Sequence, residues 1–223
     1  MKLAFLGKGG SGKSTMATAM VRHLQGLGMR VLAIDADHNM DLTYSLGIEP
    51  SVYIGRDPDA IKEHVGALRE GTYADALRTG TEAGILFSIF PADSYTAQIS
   101  VEVDSGLRIM TAGPHTQRVR SQEACSHSLA APLKVYLPLL KLKSNEAVIV
   151  DERAGTDPVA TGILAGVDLA VIVREPTVNS RRVAEQIRHE LELAGIKHIL
   201  VENKELGLEA DTAKAARDIE AAI

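Results

Sequence analysis

The sequence has a single cysteine, no tryptophan and few aromatic residues. With Cys125 alone, no disulfide can form within these 223 residues. Disulfide-rich secreted scaffolds are therefore excluded, and a reducing compartment is the simpler expectation. Because aromatic residues make up only 4% of the chain, we expect a core built mainly from alanine, valine, leucine and isoleucine.

The sequence also lacks a long apolar run and an excess of basic residues. No apolar run approaches the roughly 20 residues that a helix needs to cross a bilayer. Residues 3–6 are too few for the apolar part of a signal peptide. The 24 Lys and Arg residues are outnumbered by 29 Asp and Glu residues, for a net charge of -5, which argues against broad binding to nucleic acid. We expect a cytoplasmic protein with no membrane or nucleic-acid partner.

Short apolar runs predict the strands of a parallel sheet. They are nearly continuous in apolar character, which is typical of strands buried on both faces. Helical patterns lie between them, so the sequence predicts a doubly wound α/β fold, with a mostly parallel sheet flanked by helices, in one domain over residues 1–223. The predicted strands are 3–7, 30–37, 147–152, 169–175 and 198–203, and the predicted helices are 14–27, 59–70, 129–142, 177–194 and 208–223.

Residues 50–115 have a less regular pattern. Three segments have the composition of strands: GILFSIF at 84–90, AQISVEV at 97–103 and LRIMTAG at 107–113. The middle segment also alternates apolar and polar residues, as a half-buried strand does. We therefore predict three further strands in this part of the chain.

The segment GKGGSGKST, residues 7–15, matches the pattern G-x-x-x-x-G-K-[ST] of a phosphate-binding loop. It follows a predicted strand and opens a predicted helix. Glycines let successive N–H groups point at phosphate oxygens, and the helix N-terminus adds partial positive charge. Lys13 would neutralise the β- and γ-phosphates of a nucleotide, and the Ser14 hydroxyl would bind Mg²⁺. The predicted nucleotide contacts in the loop are Gly7, Lys8, Gly9, Gly10, Ser11, Gly12, Lys13, Ser14 and Thr15.

Lys8 is a second lysine that a phosphate cradle does not require. The pattern K-G-G-x-G-K-[ST] from Lys8 to Ser14 resembles the deviant Walker A loop of the MinD/ParA/NifH group of P-loop ATPases. This resemblance, which covers nearly the whole chain, implies slow, Mg²⁺-dependent hydrolysis of ATP in an ATP-dependent homodimer. It also implies a catalytic role for Lys8 at the partner's nucleotide, similar to that of an arginine finger. The alternative is a solvated surface lysine.

Two aspartates and an asparagine extend the resemblance. Asp37 corresponds to the second aspartate of the family's D-x-D pattern, which implies that it orients the attacking water near Mg²⁺, although His38 stands where the family usually has proline. Asp151, at the end of AVIVD, would hold Mg²⁺ through water at the carboxyl edge of the sheet. Asn203 resembles the family's adenine-reading asparagine. The implied cofactors are ATP or ADP and Mg²⁺. The alternative for Asp37, and for Asp35 two residues before it, is capping of a turn.

Residues 84–153 resemble one branch of this family, the CooC ATPases, which assist nickel insertion into carbon monoxide dehydrogenase. The order strand, C-x-C, helix and Walker B of that branch is similar to LRIMTAGP, EACSHSLAAPLKVYLPLL and AVIVDERAGTDP here. Cys125 and His127 stand at the two cysteine positions. In a two-fold dimer they would supply two thiolates and two imidazoles for Zn²⁺, or for Ni²⁺ in another arrangement, and a client metalloenzyme would be the partner. The simpler interpretation is that Cys125 is a small buried hydrophobic residue.

Two other functions remain open from the sequence. A ParA- or MinD-like positioning ATPase would attach to DNA or membrane, but the acidic balance and the mixed charge of the C-terminal helix argue against it. A regulatory protein could bind nucleotide and barely hydrolyse it. An electron donor of the NifH type is disfavoured, because an iron–sulfur cluster bridging two chains needs two cysteines from each.

Overall fold

The described residues form one seven-stranded sheet with the strand order β3-β4-β2-β5-β1-β6-β7. The computed structural model describes residues 1–121, 125–205 and 207–223, and leaves the side chains of Arg118, Ser126 and His127 outside the description. Strand β3 pairs antiparallel with β4, whereas all other pairs are parallel. The strands are β1 Lys2–Gly7, β2 Arg30–Asp35, β3 Ser100–Asp104, β4 Leu107–Thr111, β5 Glu146–Asp151, β6 Leu169–Arg174 and β7 His198–Glu202.

Helices connect the strands and cover both faces of the sheet. In chain order they are α1 Lys13–Gly26, α2 Asp41–Ser45, α3 Ala60–His64, α4 Tyr73–Glu82, α5 Ser94–Ile99, α6 Gln117–Arg120, α7 Leu133–Leu139, α8 Asp157–Ala160, α9 Val178–Leu193 and α10 Leu208–Ala222. Two 3₁₀ turns, Ile54–Arg56 and Ser126–Ala130, lie between them.

Each strand of the sheet centre buries side chains on both faces. In β1, Leu3 and Phe5 pack in one apolar cluster with residues of α1 and α10, while Ala4 and Leu6 pack in a second cluster with residues of α7 and α9. Successive side chains of a strand point to opposite faces. A strand covered on both faces must therefore be apolar at every position, which explains the continuous apolar runs in the sequence.

The sequence predicts the regular part of this fold and mispredicts part of the middle. The five predicted parallel strands, the helices at 14–27 and 177–194 and the C-terminal helix are confirmed within one or two residues. Residues 107–113 do contain a strand. The strand at 97–103 begins only at residue 100, because residues 94–99 form a helix that the Asp93 side chain caps.

The prediction of a strand at 84–90 is wrong. Phe87 makes a single bridge to Leu140, at the end of a helix, and no residue of this segment joins the described sheet. Its buried side chains instead pack in the cluster of α7 and α9. Two predicted helices are also shorter than expected: 59–70 contains only α3, and 129–142 is divided between a 3₁₀ turn and α7.

No helix in the described part of the chain is both long and apolar enough to span a membrane.

Gly166 offers a test of the packing between the turn before β6 and α7. A Cβ at this position would lie 2.6 Å from the backbone nitrogen of Pro138, whereas a Cβ at Gly162, in the same turn, would meet nothing within 4 Å. Both glycines have positive φ, 80° and 75°, so alanine costs about 1–2 kcal/mol at either site. We expect Gly166→Ala to lower the free energy of unfolding by about 1–3 kcal/mol more than Gly162→Ala, measured by urea denaturation. Equal losses would contradict the contact.

Candidate functional site

The parallel register brings the phosphate-loop motif and two strand-end aspartates to one edge of the sheet. Asp151 of β5 is the register partner of Asp35 in β2 and of Phe5 in β1. The loop that follows β1 therefore begins beside the ends of β2 and β5. In open α/β sheets, this carboxyl edge is where ligands bind.

Residues 8–12 form a tight loop between β1 and α1. The Ser11 N–H donates to the carbonyl of Lys8 at 3.1 Å, and Gly12 enters α1 with φ 91°. A Cβ on Gly12 would lie 2.1 Å from Nδ2 of Asn203, so a larger residue cannot occupy this position without displacing that side chain. The loop and the end of β7 are therefore packed together.

Asn203 is buried at 4% exposure and holds the loop directly. Its Nδ2 donates to the Ser11 carbonyl at 2.8 Å. The predicted contact between Asn203 and adenine stays a prediction.

A pocket of about 370 Å³ lies against the loop and the start of α1. Its walls include sequence-predicted residues and three that the sequence did not single out as pocket residues, Asp41, Ser45 and Lys204. Asp41 and Ser45 are four residues apart on α2 and so lie on the same face of the helix. This helical spacing could have indicated them, but it belongs to no nucleotide-binding motif. Lys8 is not among the described residues that line this pocket; the lining residues are Gly10, Gly12, Lys13, Ser14, Thr15, Asp41, Ser45 and Lys204.

Three carboxyl groups at this edge are buried, and burial raises the pKa of each. Burial raises the pKa of Asp35 to about 6, although hydrogen bonds from the Thr43 N–H and hydroxyl, at 2.8 and 2.9 Å, oppose the rise. Burial raises the pKa of Asp151 to about 7, against the effects of the Ser14 hydroxyl and the Lys13 ammonium. Burial also raises the pKa of Glu152 to about 8.

Several buried polar atoms beside the loop have no hydrogen-bond partner among the described residues. They include Oδ1 of Asp151, both carboxylate oxygens of Glu152, and Nε and Nη2 of Arg153. Buried polar groups are nearly always satisfied in folded proteins. A carboxylate oxygen such as Asp151 Oδ1, in a carboxyl group that the Ser14 hydroxyl also affects, suits a hard cation such as Mg²⁺.

Asp37 lies beyond the end of β2, in a turn that contains His38. Its Oδ1 accepts from the Asn39 N–H at 3.1 Å and lies 3.1 Å from Nδ1 of His38, without hydrogen-bond alignment between those two atoms. The ring of His38 stacks on that of His115 at 4.2 Å between centroids. The residue that replaces the expected proline therefore links Asp37 to the segment that follows β4.

The pair Cys125 and His127 is only partly described. Cys125 is exposed, so the simpler interpretation that it is buried in the core is wrong. The side chain of His127 lies outside the described residues. Within the part of the chain that the structure describes, no group of three or more His, Cys, Asp or Glu side chains is arranged to hold a metal ion.

Several larger cavities lie away from the loop among the described residues. One of about 640 Å³ lies between α1 and α10, and one of about 680 Å³ lies around Tyr53 and the 3₁₀ turn Ile54–Arg56. Neither is lined by the loop or by the strand-end aspartates. Cavity volume alone therefore does not identify the candidate site. The buried charged groups that converge beside the loop are the better indicator.

The loop, the strand order and the strand-end aspartates define a nucleotide-binding protein of the P-loop class. The chain belongs to the family of CobQ/CobB/MinD/ParA nucleotide binding domains, whose model matches residues 3–201. The family predicted from the sequence is thereby confirmed.

Curated relatives cover most of the chain. The carbon monoxide dehydrogenase accessory protein CooC of Rhodospirillum rubrum is 34% identical over 200 residues, which are 89% of this chain and 72% of that protein. An uncharacterised ATP-binding protein of Methanocaldococcus jannaschii is 30% identical over 210 residues, 92% of this chain and 78% of that protein. The predicted similarity to CooC is confirmed.

Solved structures share the fold. A ParA family ATPase from Chlorobium tepidum aligns with a TM-score of 0.60 and 18% identity, over 95% of this chain and 79% of that chain. MinD from Pyrococcus horikoshii, solved with Mg-ADP, aligns with a TM-score of 0.59 and 18% identity, over 98% and 76%. At such identities these likenesses show the fold alone.

The buried carboxyl of Glu152 predicts how stability depends on pH without ligands. Since the pKa of Glu152 is about 8 in the folded protein and 4.5 for an ordinary glutamate, the folded chain binds more protons than the unfolded chain between these values. Stability should fall as the pH rises from about 4.5 to 8. We expect Glu152→Gln to reduce this fall by a few kcal/mol, at about 1.4 kcal/mol per pKa unit, measured by urea denaturation of nucleotide-free protein.

The exposed residue Glu49 provides the matched control. Glu49→Gln should keep the pH dependence of the parent chain. A Glu152→Gln variant with that same dependence would show that Glu152 is ionised in the fold.

Proposed function

We propose that this protein is an ATP-hydrolysing switch that works as an ATP-dependent homodimer and assists metallocentre assembly. The observation that carries the proposal is the position of Lys8. Its side chain is 35% exposed and its ammonium contacts Glu175 and the Gly9 carbonyl, while Lys13 lines the pocket beside the loop. A cation that does not line the pocket of its own chain would serve a nucleotide held by a second chain.

The loop would bind the triphosphate and Lys13 would neutralise its β- and γ-oxygens. Lys13 is 8% exposed, so its charge acts in a poorly solvated site where it is less screened than in water. Lys8 of the partner chain would add positive charge as the terminal phosphoryl group leaves. Hydrolysis would therefore depend on assembly of the dimer.

Ser14, Asp37 and Asp151 would hold Mg²⁺, directly or through water. Bound there, Mg²⁺ would supply charge neutralisation between the β- and γ-phosphates. Asp37 lies at the more exposed end of this group, with 18% of its side chain exposed, and would accept a hydrogen bond from the attacking water and orient it. Asn203 would fix the shape of the loop and, through its amide, favour adenine.

The role in metallocentre assembly rests on the 34% identity to CooC, an accessory protein of carbon monoxide dehydrogenase. Cys125 is exposed and so can meet a symmetry-related thiolate when two chains assemble. With His127 it would hold Zn²⁺ or Ni²⁺ between the chains. The client would be a metalloenzyme that accepts the metal.

Lys8→Ala tests the dimeric mechanism. We expect the variant to bind ATP within about a factor of two to three of the parent chain, since Lys8 does not line the described pocket. Dimerisation with a non-hydrolysable ATP analogue and turnover should both be lost, because no cation reaches the partner's phosphates. Light scattering after size-exclusion chromatography and phosphate release measure the two effects.

Lys197→Ala removes an exposed lysine at the opposite end of the sheet and is the matched control, with full dimerisation and turnover expected. Normal hydrolysis by Lys8→Ala would refute the role in the dimer.

Cys125→Ser tests the metal site. We expect one Zn²⁺ or Ni²⁺ ion per two chains in the ATP-bound dimer and none after the substitution, because a hydroxyl is a poor ligand for these metals. Metal analysis of the isolated dimer fraction gives the stoichiometry. The monomeric Lys8→Ala variant should also lack the ion. Metal that persists in Cys125→Ser would place the site elsewhere.

A further inference from the structure

Glu175, which follows β6, lies between two lysines, Lys8 of the phosphate loop and Lys204. One carboxylate oxygen accepts a hydrogen bond from Nζ of Lys204 at 2.9 Å, and the other lies 3.7 Å from Nζ of Lys8. The side chain of Glu175 is only 15% exposed. One carboxylate therefore contacts both lysines at the rim of the loop.

The position of Glu175 is fixed from two sides. Its N–H donates to the hydroxyl of Ser180 at 3.1 Å, near the start of α9. Lys204, which contacts its carboxylate, also donates to the Gly10 carbonyl at 2.6 Å and so ties it to the loop. The hydrogen bond from Lys204 keeps the pKa of Glu175 below its usual range, with a smaller contribution from Lys8. Glu175 is therefore a fixed negative charge at this place.

The Lys8 ammonium contacts two groups of its own chain. Besides Glu175, its ammonium donates to the Gly9 carbonyl at 3.1 Å. The proposed dimer requires the same ammonium to reach the partner's phosphates. Both contacts with its own chain must then be given up, and the contact with Glu175 is the one that involves a full opposite charge.

We propose that Glu175 is a positioning residue that holds Lys8 on its own chain and thereby opposes dimerisation until ATP is bound. This inference rests on the proposed function of Lys8. ADP lacks the γ-phosphate and so offers Lys8 less negative charge than ATP does. The cost of breaking the contact with Glu175 is the same for both nucleotides, so it weakens both dimers equally and leaves the ADP-bound dimer too weak to be populated.

Glu175→Gln tests this competition, with Glu202→Gln as the matched control. Glu202 ends the neighbouring strand, is 22% exposed and pairs with Arg174 rather than with the loop. A contact between partly exposed charges contributes about 0.2–1 kcal/mol. Because each dimer gives up two such contacts, we expect Glu175→Gln to lower the dimer dissociation constant with a non-hydrolysable ATP analogue roughly two- to thirtyfold, and to permit detectable dimer with ADP. Sedimentation velocity measures both.

Three further measurements separate a positioning role from a structural one. In nucleotide-free protein, the NMR signal of the Lys8 side-chain ammonium should shift in Glu175→Gln and stay unchanged in Glu202→Gln. Glu175→Asp should restore most of the parent behaviour. The effect on dimerisation should shrink at high salt, which screens exposed charges.

The outcomes are distinct for the two proposals. If Lys8→Ala dimerises normally, the proposed function fails, while the Lys8 ammonium signal still reports on the contact with Glu175. If Glu175→Gln leaves that signal or the dissociation constant unchanged, or weakens the dimer, the inference about Glu175 is overturned. It is also overturned if adding Glu175→Gln promotes dimerisation of Lys8→Ala.

Discussion

The parallel register of β1, β2 and β5 is the constraint on which the site depends. It fixes Asp151 opposite Asp35 and beside the residues that lead into the phosphate loop. Since both faces of these strands are covered by apolar clusters, the strand ends are the places where charged groups can meet a ligand. The chemistry of the site therefore follows from the way the sheet is packed.

That packing places negative charge where it is poorly solvated. Asp35, Asp151 and Glu152 have raised pKa values because burial disfavours their ionised forms. A bound cation, or a positively charged side chain that approaches them, lowers the cost of ionising these buried carboxyl groups. A ligand that binds only the folded state raises its stability, so occupancy of the site and stability of the fold are coupled in this protein.

The sequence predicts the sheet centre because strands that are buried on both faces have continuous runs of apolar residues. It predicts the loop because its glycines and lysine have fixed spacing. It does not predict that residues 84–90 stay outside the sheet, because an apolar residue such as Phe87 suits a strand as well as it suits the apolar cluster of α7 and α9. Nor does it identify Glu175 or Lys204, because these residues contact each other and the loop only when β6 and β7 end beside it. Long-range neighbours of this kind are set by topology and leave no local pattern.

The bond between Asn203 and the Ser11 carbonyl joins residues 192 positions apart. A contact of such sequence separation forms only after the intervening chain has been ordered, and the entropy of closing that length opposes it early in folding. The loop near the N-terminus thus reaches its final shape only when β7 has docked. During synthesis on the ribosome, a chain that still lacks β7 has the complete phosphate motif but not the hydrogen bond from Asn203 that holds the loop. The first segment to be made therefore depends for its shape on one of the last.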